Sequence, residues 1–254
     1  MMSDLSDPVL RRRMIPLTAA EPQTQFWDRL PERLATRWRT KMASNVLGFP
    51  AFFWAYFWVL KHPLLTPFEM PLTALDGWIG FFPAAILLYG SLWVYVSLPL
   101  ALLTRKSELL SFGVATFAIA GAGMMIFILW PTTIPSFNID WSQHPTTAFL
   151  KDVDASGNAC PSLHVAFAVF TVGWLHRLLH EMGAGRTIKT VNWLWCAAIV
   201  YSTIATRQHV VLDVVAGAAL GASIVVANLW WLRRAELRTS VGQAAHAGRQ
   251  SDPC

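Results

Sequence analysis

Two histidines, an arginine and an aspartate stand in this sequence at spacings that suit chemistry on an anionic group. His209 and Asp213 are four residues apart, so both side chains are predicted to lie on one face of a helix. A carboxylate that bonds one ring nitrogen of a histidine fixes its tautomer and raises the basicity of the other nitrogen. Arg207 comes two residues before His209, and its guanidinium can hold a phosphate through two hydrogen bonds.

A second cluster precedes another apolar segment and reads Asn-Ala-Cys-Pro-Ser-Leu-His over residues 158–164. Proline suits the start of a helix because it has no N–H to lose there, so Pro161 predicts a helix beginning at that position. The free N–H groups of the first turn, with the Ser162 hydroxyl, would then form an anion site. His164 falls in the same turn.

Each cluster also has a purely structural interpretation. His209 and Asp213 can be a buried pair that locks two helices together, and Arg207 can extend toward lipid headgroups. Residues 158–164 can be an ordinary helix cap with an interfacial histidine. The combination favours chemistry, because one cluster offers an anion site and a histidine while the other offers an arginine, a histidine and an orienting carboxylate. These are the groups that phosphoryl transfer requires.

The composition indicates that these residues are carried by a membrane protein. The chain is 54% hydrophobic and 14% charged, with a mean hydropathy of +0.42, whereas about a quarter of the residues of soluble domains are charged. An intramembrane carboxylate such as Asp213 costs about 2.5–3.5 kcal/mol on insertion scales, so it is expected to face a cavity or a partner. The net charge of +5 resides beside apolar segments and is interpreted as a topology signal, not as a nucleic-acid surface. Three cysteines without metal-ligand spacing predict neither a metal site nor a cofactor.

Apolar segments predict an all-α integral membrane bundle of about six transmembrane helices, since about 20 residues cross the hydrocarbon. The predicted spans are residues 44–60, 78–103, 109–130, 161–180, 190–206 and 210–232. Residues 1–43 form a basic arm, of which 25–41 is either a surface helix or a solvated segment. Residues 44–232 form the catalytic domain, and residues 233–254 a disordered tail.

The basic residues predict the orientation. With the N-terminus in the cytoplasm, 17 of the 20 lysines and arginines fall on the inner side, leaving Lys61, Lys151 and Arg207 outside. This is the bias expected from the positive-inside rule. Both termini are therefore predicted to be cytoplasmic, and both clusters to lie on the outer face.

The two clusters resemble motifs of the type 2 phosphatidic acid phosphatase (PAP2) superfamily. Pro-Ser-Leu-His at 161–164 is similar to its second motif, usually Pro-Ser-Gly-His, and Arg-Gln-His-Val-Val-Leu-Asp at 207–213 is similar to its third. The resemblance covers roughly residues 80–232. The short spacing of Arg207 and His209, with Leu163 in place of glycine, is nearer the branch of inositol phosphorylceramide and sphingomyelin synthases. These enzymes transfer a phosphorylated headgroup between lipids.

The resemblance implies a lipid phosphatase or phosphotransferase, with roles for particular residues. His209 would attack phosphorus with Asp213 orienting it, and His164 would protonate the leaving group. Arg207, with Ser162, Leu163 and Lys151, would bind the phosphate. The substrate would be a phosphorylated lipid of the bilayer, and no cofactor is implied. The first PAP2 motif is not found in its usual form, and Pro-Thr-Thr-Ile-Pro at 131–135 stands where it should end.

Two alternatives of other classes remain open. Two histidines and a carboxylate can form a facial triad for iron or zinc. Intramembrane His, Asp and Arg also serve proton or ion pathways in transporters. A chelator would discriminate the first, since a phosphohistidine route needs no metal. The lack of paired broken helices or repeats in the sequence disfavours the second.

Overall fold

The structure of the protein is a computed structural model. The structure describes residues 26–148 and 158–250, and the side chains of these residues as far as residue 238. Most of the N-terminal arm, Lys151 and residues 251–254 therefore lie outside the described residues. What is described is predominantly α-helical, which confirms the predicted fold class.

The helices follow one another with short connections. They are α1 (Phe26–Ala35), α2 (Trp38–Lys61), α3 (Ala74–Trp78), α4 (Ile86–Gly90), α5 (Leu92–Tyr95), α6 (Ser97–Leu102), α7 (Lys106–Leu129), α8 (Leu163–Glu181), α9 (Arg186–Ala205) and α10 (Val211–Gln250). Two short strands, β1 (Phe68–Glu69) and β2 (Thr132–Thr133), pair in parallel. This pair ties the segment after α2 to the segment after α7.

Four helical stretches in the described part of the chain are long and apolar enough to cross a membrane: Trp38–Lys61, Pro83–Leu102, Lys106–Leu129 and Val211–Arg238. They correspond to the first, second, third and sixth predicted spans. Helices α8 and α9, of 19 and 20 residues, occupy the fourth and fifth. These two helices carry more polar residues, so their mean hydropathy is lower. The presence of six transmembrane helices therefore stays a prediction.

The second predicted span is interrupted. A 3₁₀ turn at Pro83–Ala85 leads into α4, α5 and α6 in succession. Proline lacks the N–H of a helical hydrogen bond, which suits Pro83 to the first position of the turn. The span therefore begins at residue 83 rather than 78, and residues 74–78 form the separate helix α3.

Helix α8 lies at the centre of the bundle and crosses α10 at close range. Gly217 and Gly221 of α10 rest against the backbone carbonyls of Ser162 and Ala166, and a Cβ at either glycine would overlap those carbonyl oxygens. Small residues four apart allow two helix backbones to approach in this way. The crossing brings the first turn of α8 beside the first turn of α10.

At the opposite end of the bundle, an ion network joins α7, α8 and α10. Glu108 is 1% exposed and lies 2.8 Å from an Arg105 nitrogen and 3.1 Å from an Arg177 nitrogen. Arg177 also pairs with Glu181 at 2.7 Å, and Arg105 with Glu236 at 2.9 Å. A buried carboxylate needs such partners, because an unpaired one would be strongly destabilising.

Helix α1 docks on this same end. The Arg29 guanidinium donates to the carbonyl of Glu181 at 2.9 Å, and that of Arg33 to the carbonyl of Leu102 at 3.2 Å. The last carbonyls of a helix lack partners within it and favour cations. The described part of the arm is thus helical and caps the ends of α8 and α6.

Helix α10 continues well past the end of the sixth predicted span. Its 40 residues run to Gln250, so the backbone of residues 233–250 is helical where a disordered tail is expected from the sequence. No proline interrupts the chain between Val211 and Gln250. The residues after Arg233 include several alanines, arginines and glutamines, which favour helix.

Candidate active site

The turn between α9 and α10 presents His209. The backbone N–H groups of Gln208 and His209 both donate to the carbonyl of Thr203, at 3.1 and 3.0 Å. Arg207 adopts a left-handed conformation with φ of 57°, which is uncommon for a residue other than glycine. Helix α10 begins only at Val211, so His209 precedes the helix. The prediction that His209 and Asp213 share one helix face is therefore wrong in its geometry.

His209 and Asp213 nevertheless meet. His209 Nδ1 lies 3.6 Å from Asp213 Oδ2, and that oxygen also accepts the N–H of Val210 at 3.0 Å, which caps the start of α10. Both residues are buried. Among the described residues, His209 Nδ1 and Asp213 Oδ1 have no hydrogen-bond partner. The distance exceeds that of an ordinary hydrogen bond, and catalytic hydrogen bonds commonly tighten only when substrate binds.

The second cluster caps α8. Ser162 is the N-cap, and its Oγ accepts the N–H of Val165 at 3.3 Å. Its own N–H donates to the carbonyl of Asp213 at 3.0 Å, so the two clusters are joined through the backbone. Helix α8 begins at Leu163, which places Pro161 before the cap instead of at the first helical position. The predicted helix start is thus two residues early.

His164 is held between aromatic rings. Its ring stacks on Tyr89 with centroids 3.8 Å apart and planes at 14°, and Trp93 meets it edge-on at 5.5 Å. Nε2 lies 3.1 Å from the carbonyl oxygen of Tyr89. A carbonyl only accepts hydrogen bonds, so Nε2 carries the proton of this contact. Nδ1 is then the nitrogen that remains for chemistry.

Both histidines line one cavity of about 190 Å³. Its walls are mainly aromatic and come from α2, α4, α5 and the first turns of α8: Phe52, Phe53, Tyr56, Phe57, Tyr89, Leu92, Trp93, Asn158, Leu163 and Phe167. Among the described residues, no lysine or arginine lines it. The two sequence clusters therefore contribute one histidine each to a largely apolar chamber.

The predicted phosphate-binding residues differ in their placement relative to the cavity. The Arg207 guanidinium donates to the carbonyl of Asp76 at 3.0 Å and lies 4.5 Å above the Phe137 ring, so it is not part of the cavity wall. Burial lowers the pKa of Arg207, although the nearby Asp76 charge acts in the opposite sense. Leu163 lines the cavity and also packs against Gly123 of α7. Its side chain is apolar, so its backbone N–H is the only group that it can offer to a phosphate. Lys151 lies outside the described residues.

Several contributors to the site are not evident in the sequence. Asp76 and the Tyr89 carbonyl belong to segments far from either cluster. Thr132, which is fully buried, accepts the N–H of Cys160 at 2.7 Å through its Oγ. It thereby fixes the loop before Ser162, at the place where the first motif was expected to end. The pattern Thr73-x-x-Asp76 signals a helix cap but gives no indication of its distant partners.

The facial-triad alternative requires three ligands around one point. Within residues 26–148 and 158–238, no group of three or more His, Cys, Asp or Glu side chains is gathered closely enough to hold a metal ion. His164, His209 and Asp213 do not form such a group. Their placement suits a pair of histidines facing a common space, with the carboxylate behind one of them.

Comparison with known proteins bears on this arrangement. A family model described as the PAP2 superfamily matches residues 106–236, a segment that contains both clusters. The chain belongs to the PAP2 superfamily. PAP2 proteins are phosphatases and phosphotransferases that act on phosphorylated lipids in membranes. The match reaches the PAP2 superfamily and not a branch within it, and no curated protein or solved structure matches the chain.

Proposed function

We propose that this PAP2 protein transfers a phosphoryl or phosphorylated headgroup from a membrane lipid through a phosphohistidine at His209. One observation carries the proposal: histidines from the two motifs line a single cavity, with a buried carboxylate 3.6 Å behind one of them. A histidine oriented by a carboxylate is the better nucleophile, because its free nitrogen gains electron density and keeps the right tautomer.

In the first step, His209 Nε2 attacks phosphorus and the bond from phosphorus to the leaving oxygen breaks. Asp213 stabilises the proton on His209 Nδ1 as the ring becomes positive. His164 protonates the leaving alkoxide through Nδ1, since its Nε2 is engaged with the Tyr89 carbonyl. In the second step, neutral His164 takes a proton from water or an alcohol, and the resulting oxygen displaces His209 from phosphorus.

The non-bridging oxygens gain stabilisation from fixed donors. The free N–H groups at the start of α8 would form the anion site. Ser162 is fully buried outside the cavity wall and supports this turn by accepting the N–H of Val165. Arg207 supplies positive charge from behind the turn, and its Nε has no hydrogen-bond partner among the described residues. Lys151, which lies outside the described residues, stays a predicted phosphate-binding residue.

The charge balance favours a phosphodiester substrate, which is the class of substrate that headgroup transfer uses. Near the turn, the charge of Arg207 is opposed by the buried Asp76 and Asp213. A phosphomonoester dianion would add two negative charges to this environment, whereas a phosphodiester adds one. Charges in a low-dielectric site interact strongly, so the monoanion is the better fit.

The decisive experiment incubates the purified protein with a panel of phospholipids, with and without a ceramide or diacylglycerol acceptor. Free phosphate from a phosphomonoester, or a phosphorylated headgroup released from a phosphodiester, identifies a hydrolase, and a new headgroup lipid identifies a transferase. A His180→Ala variant serves as a matched control, because His180 is exposed and belongs to the far end of α8. Absence of any product with every lipid would overturn the proposal.

A further inference from the structure

Asp76 is a buried carboxylate outside the segment that matches the family. It is 2% exposed and belongs to α3, between α2 and the interrupted helix, whereas the family match begins at residue 106. Asp76 does not line the cavity. A buried carboxylate needs hydrogen-bond donors, and those of Asp76 include groups of the turn that carries His209.

Asp76 contacts that turn on both sides of the histidine. Its Oδ1 accepts the N–H of Val211 at 2.8 Å, and its carbonyl accepts from Arg207 Nη1 at 3.0 Å. These two residues flank His209, each two positions away. Arg207 holds the left-handed conformation of the turn, which side chains other than glycine seldom adopt without external support.

The carboxylate is itself fixed from behind. Asp76 Oδ2 accepts the N–H and the hydroxyl of Thr73, both at 2.7 Å. The same segment is joined to the end of α9, because the N–H of Phe82 donates to the carbonyl of Ala205 at 2.9 Å. A short brace from residue 73 to residue 82 thus holds the turn from outside the helices that form it.

We infer that Asp76 is a positioning residue for the reaction at His209, an inference that rests on the proposed function. By holding both flanks of the turn, it sets the direction of the His209 ring toward the cavity and toward Asp213. It touches neither substrate nor the reacting atoms. The contact with Arg207 uses the Asp76 carbonyl and does not depend on the side chain, whereas the contact with Val211 uses the carboxylate. A displacement of about 1 Å in a reacting group can cost about 100-fold in rate, and this is the loss expected when the carboxylate is removed.

The test is single-turnover phosphoenzyme formation with a ³²P-labelled lipid, comparing wild type, Asp76→Ala and Asp76→Asn. The burst amplitude reports the fraction of active molecules, and the rate constant reports the orientation of His209. Asp76→Ala is expected to slow the rate constant by about 100-fold. Asp76→Asn keeps an oxygen that can accept from Val211 and is expected to recover most of that rate.

The matched control is Asp140→Ala, which removes an exposed aspartate whose side chain accepts from Ser142. It should match wild type. If Asp76→Ala lowers only the amplitude, or neither quantity, Asp76 is merely structural and the inference fails alone. Should Asp76→Ala not fold, Thr73→Val replaces it, because this change removes the hydroxyl that holds the Asp76 carboxylate. A slower rate constant at unchanged amplitude in Thr73→Val supports positioning, and a rate constant equal to that of wild type contradicts it. If wild type forms no phosphoenzyme, the proposed function fails and the inference with it.

Discussion

The two histidines of the cavity have different neighbours, and the roles that we propose for them rest on this difference. His209 has a buried carboxylate beside Nδ1, while His164 is stacked on Tyr89 and bonded to its carbonyl. A ring paired with a carboxylate is prepared for nucleophilic attack. A ring without that pairing is suited to carry a proton to and from oxygen.

Replacement of His209 by alanine is expected to abolish turnover and the covalent intermediate, because the attacking nitrogen is lost. Acid-quench trapping of ³²P-labelled protein, followed by peptide mapping, measures this directly. Asp213→Asn should retain a weaker activity, since the imidazole remains but is poorly oriented. Label on His164, or phosphoenzyme in the His209→Ala variant, would show that the roles are assigned wrongly.

Replacement of His164 by alanine is expected to slow turnover of lipid esters by about 10²–10⁴-fold, the usual contribution of general acid catalysis. The loss should be smaller with bis(p-nitrophenyl) phosphate, a phosphodiester whose leaving group needs no proton. Steady-state rates for both substrates provide the measurement. Equal losses on the two substrates would indicate that His164 acts otherwise than as an acid.

The sequence predicts these two histidines and Asp213 because each motif is local in the chain. The partners of Asp76 lie 131 and 135 residues away in the chain, and the local spacing of residues does not reveal contacts between such distant positions. The same limit of sequence analysis applies to Arg207. Its type and position suggest a phosphate ligand, but its place behind the turn depends on the backbone of α3.

Among the helices, the crossing of α8 and α10 determines whether the motifs meet. Gly217 leaves no room for a Cβ beside the Ser162 carbonyl, and a backbone atom cannot move aside as a flexible side chain can. Ser162, in turn, donates its N–H to Asp213. The separation of the two helix starts is therefore fixed at the site itself.

Gly217→Ala is expected to destabilise the protein by about 1–3 kcal/mol, as overpacking of a close contact does, and to reduce activity. Thermal unfolding in detergent and turnover rates measure the two effects. Gly113→Ala on α7 is the matched control, because a Cβ there meets nothing within 4 Å. If the two variants behave alike, the crossing does not depend on a glycine at this position.

Hydropathy predicts α2, α7 and α10 because these helices show broad apolar surfaces to lipid. It predicts less well where contacts within the protein decide the structure. The break near Ser91 in the second span, the pairing of β1 with β2, and the docking of α1 all depend on distant partners. The extension of α10 beyond residue 232 follows local composition but exceeds what a membrane span requires.

For the whole molecule, the basic residues predict which end faces the cytoplasm. Gln143→Cys and Thr187→Cys test this, because both positions are exposed and belong to opposite ends of the bundle. In a background with Cys254 replaced by serine, Cys160 and Cys196 remain, and both are buried. Burial also raises the pKa of Cys160 to about 11, so its thiol reacts slowly.

A membrane-impermeant maleimide is expected to label Gln143→Cys in intact cells, and Thr187→Cys only after permeabilisation. Gel shift after labelling provides the measurement. The reverse pattern would place the cavity on the cytoplasmic side and would change which lipid leaflet supplies the substrate.

The cavity has walls of unequal stiffness. On one side, α8 and α10 touch backbone to backbone, and a shift there would displace His209 and Ser162. On the other side stands α2, much of which is exposed, including Trp54 at 74% and Trp58 at 51%. Elements with few buried contacts move most readily. Tilting of α2 alone would widen the chamber for a bulky lipid while the reacting groups kept their alignment. The size of the lipid should therefore change the rates at which lipids enter and leave the cavity, and leave the rate of the chemical step unchanged.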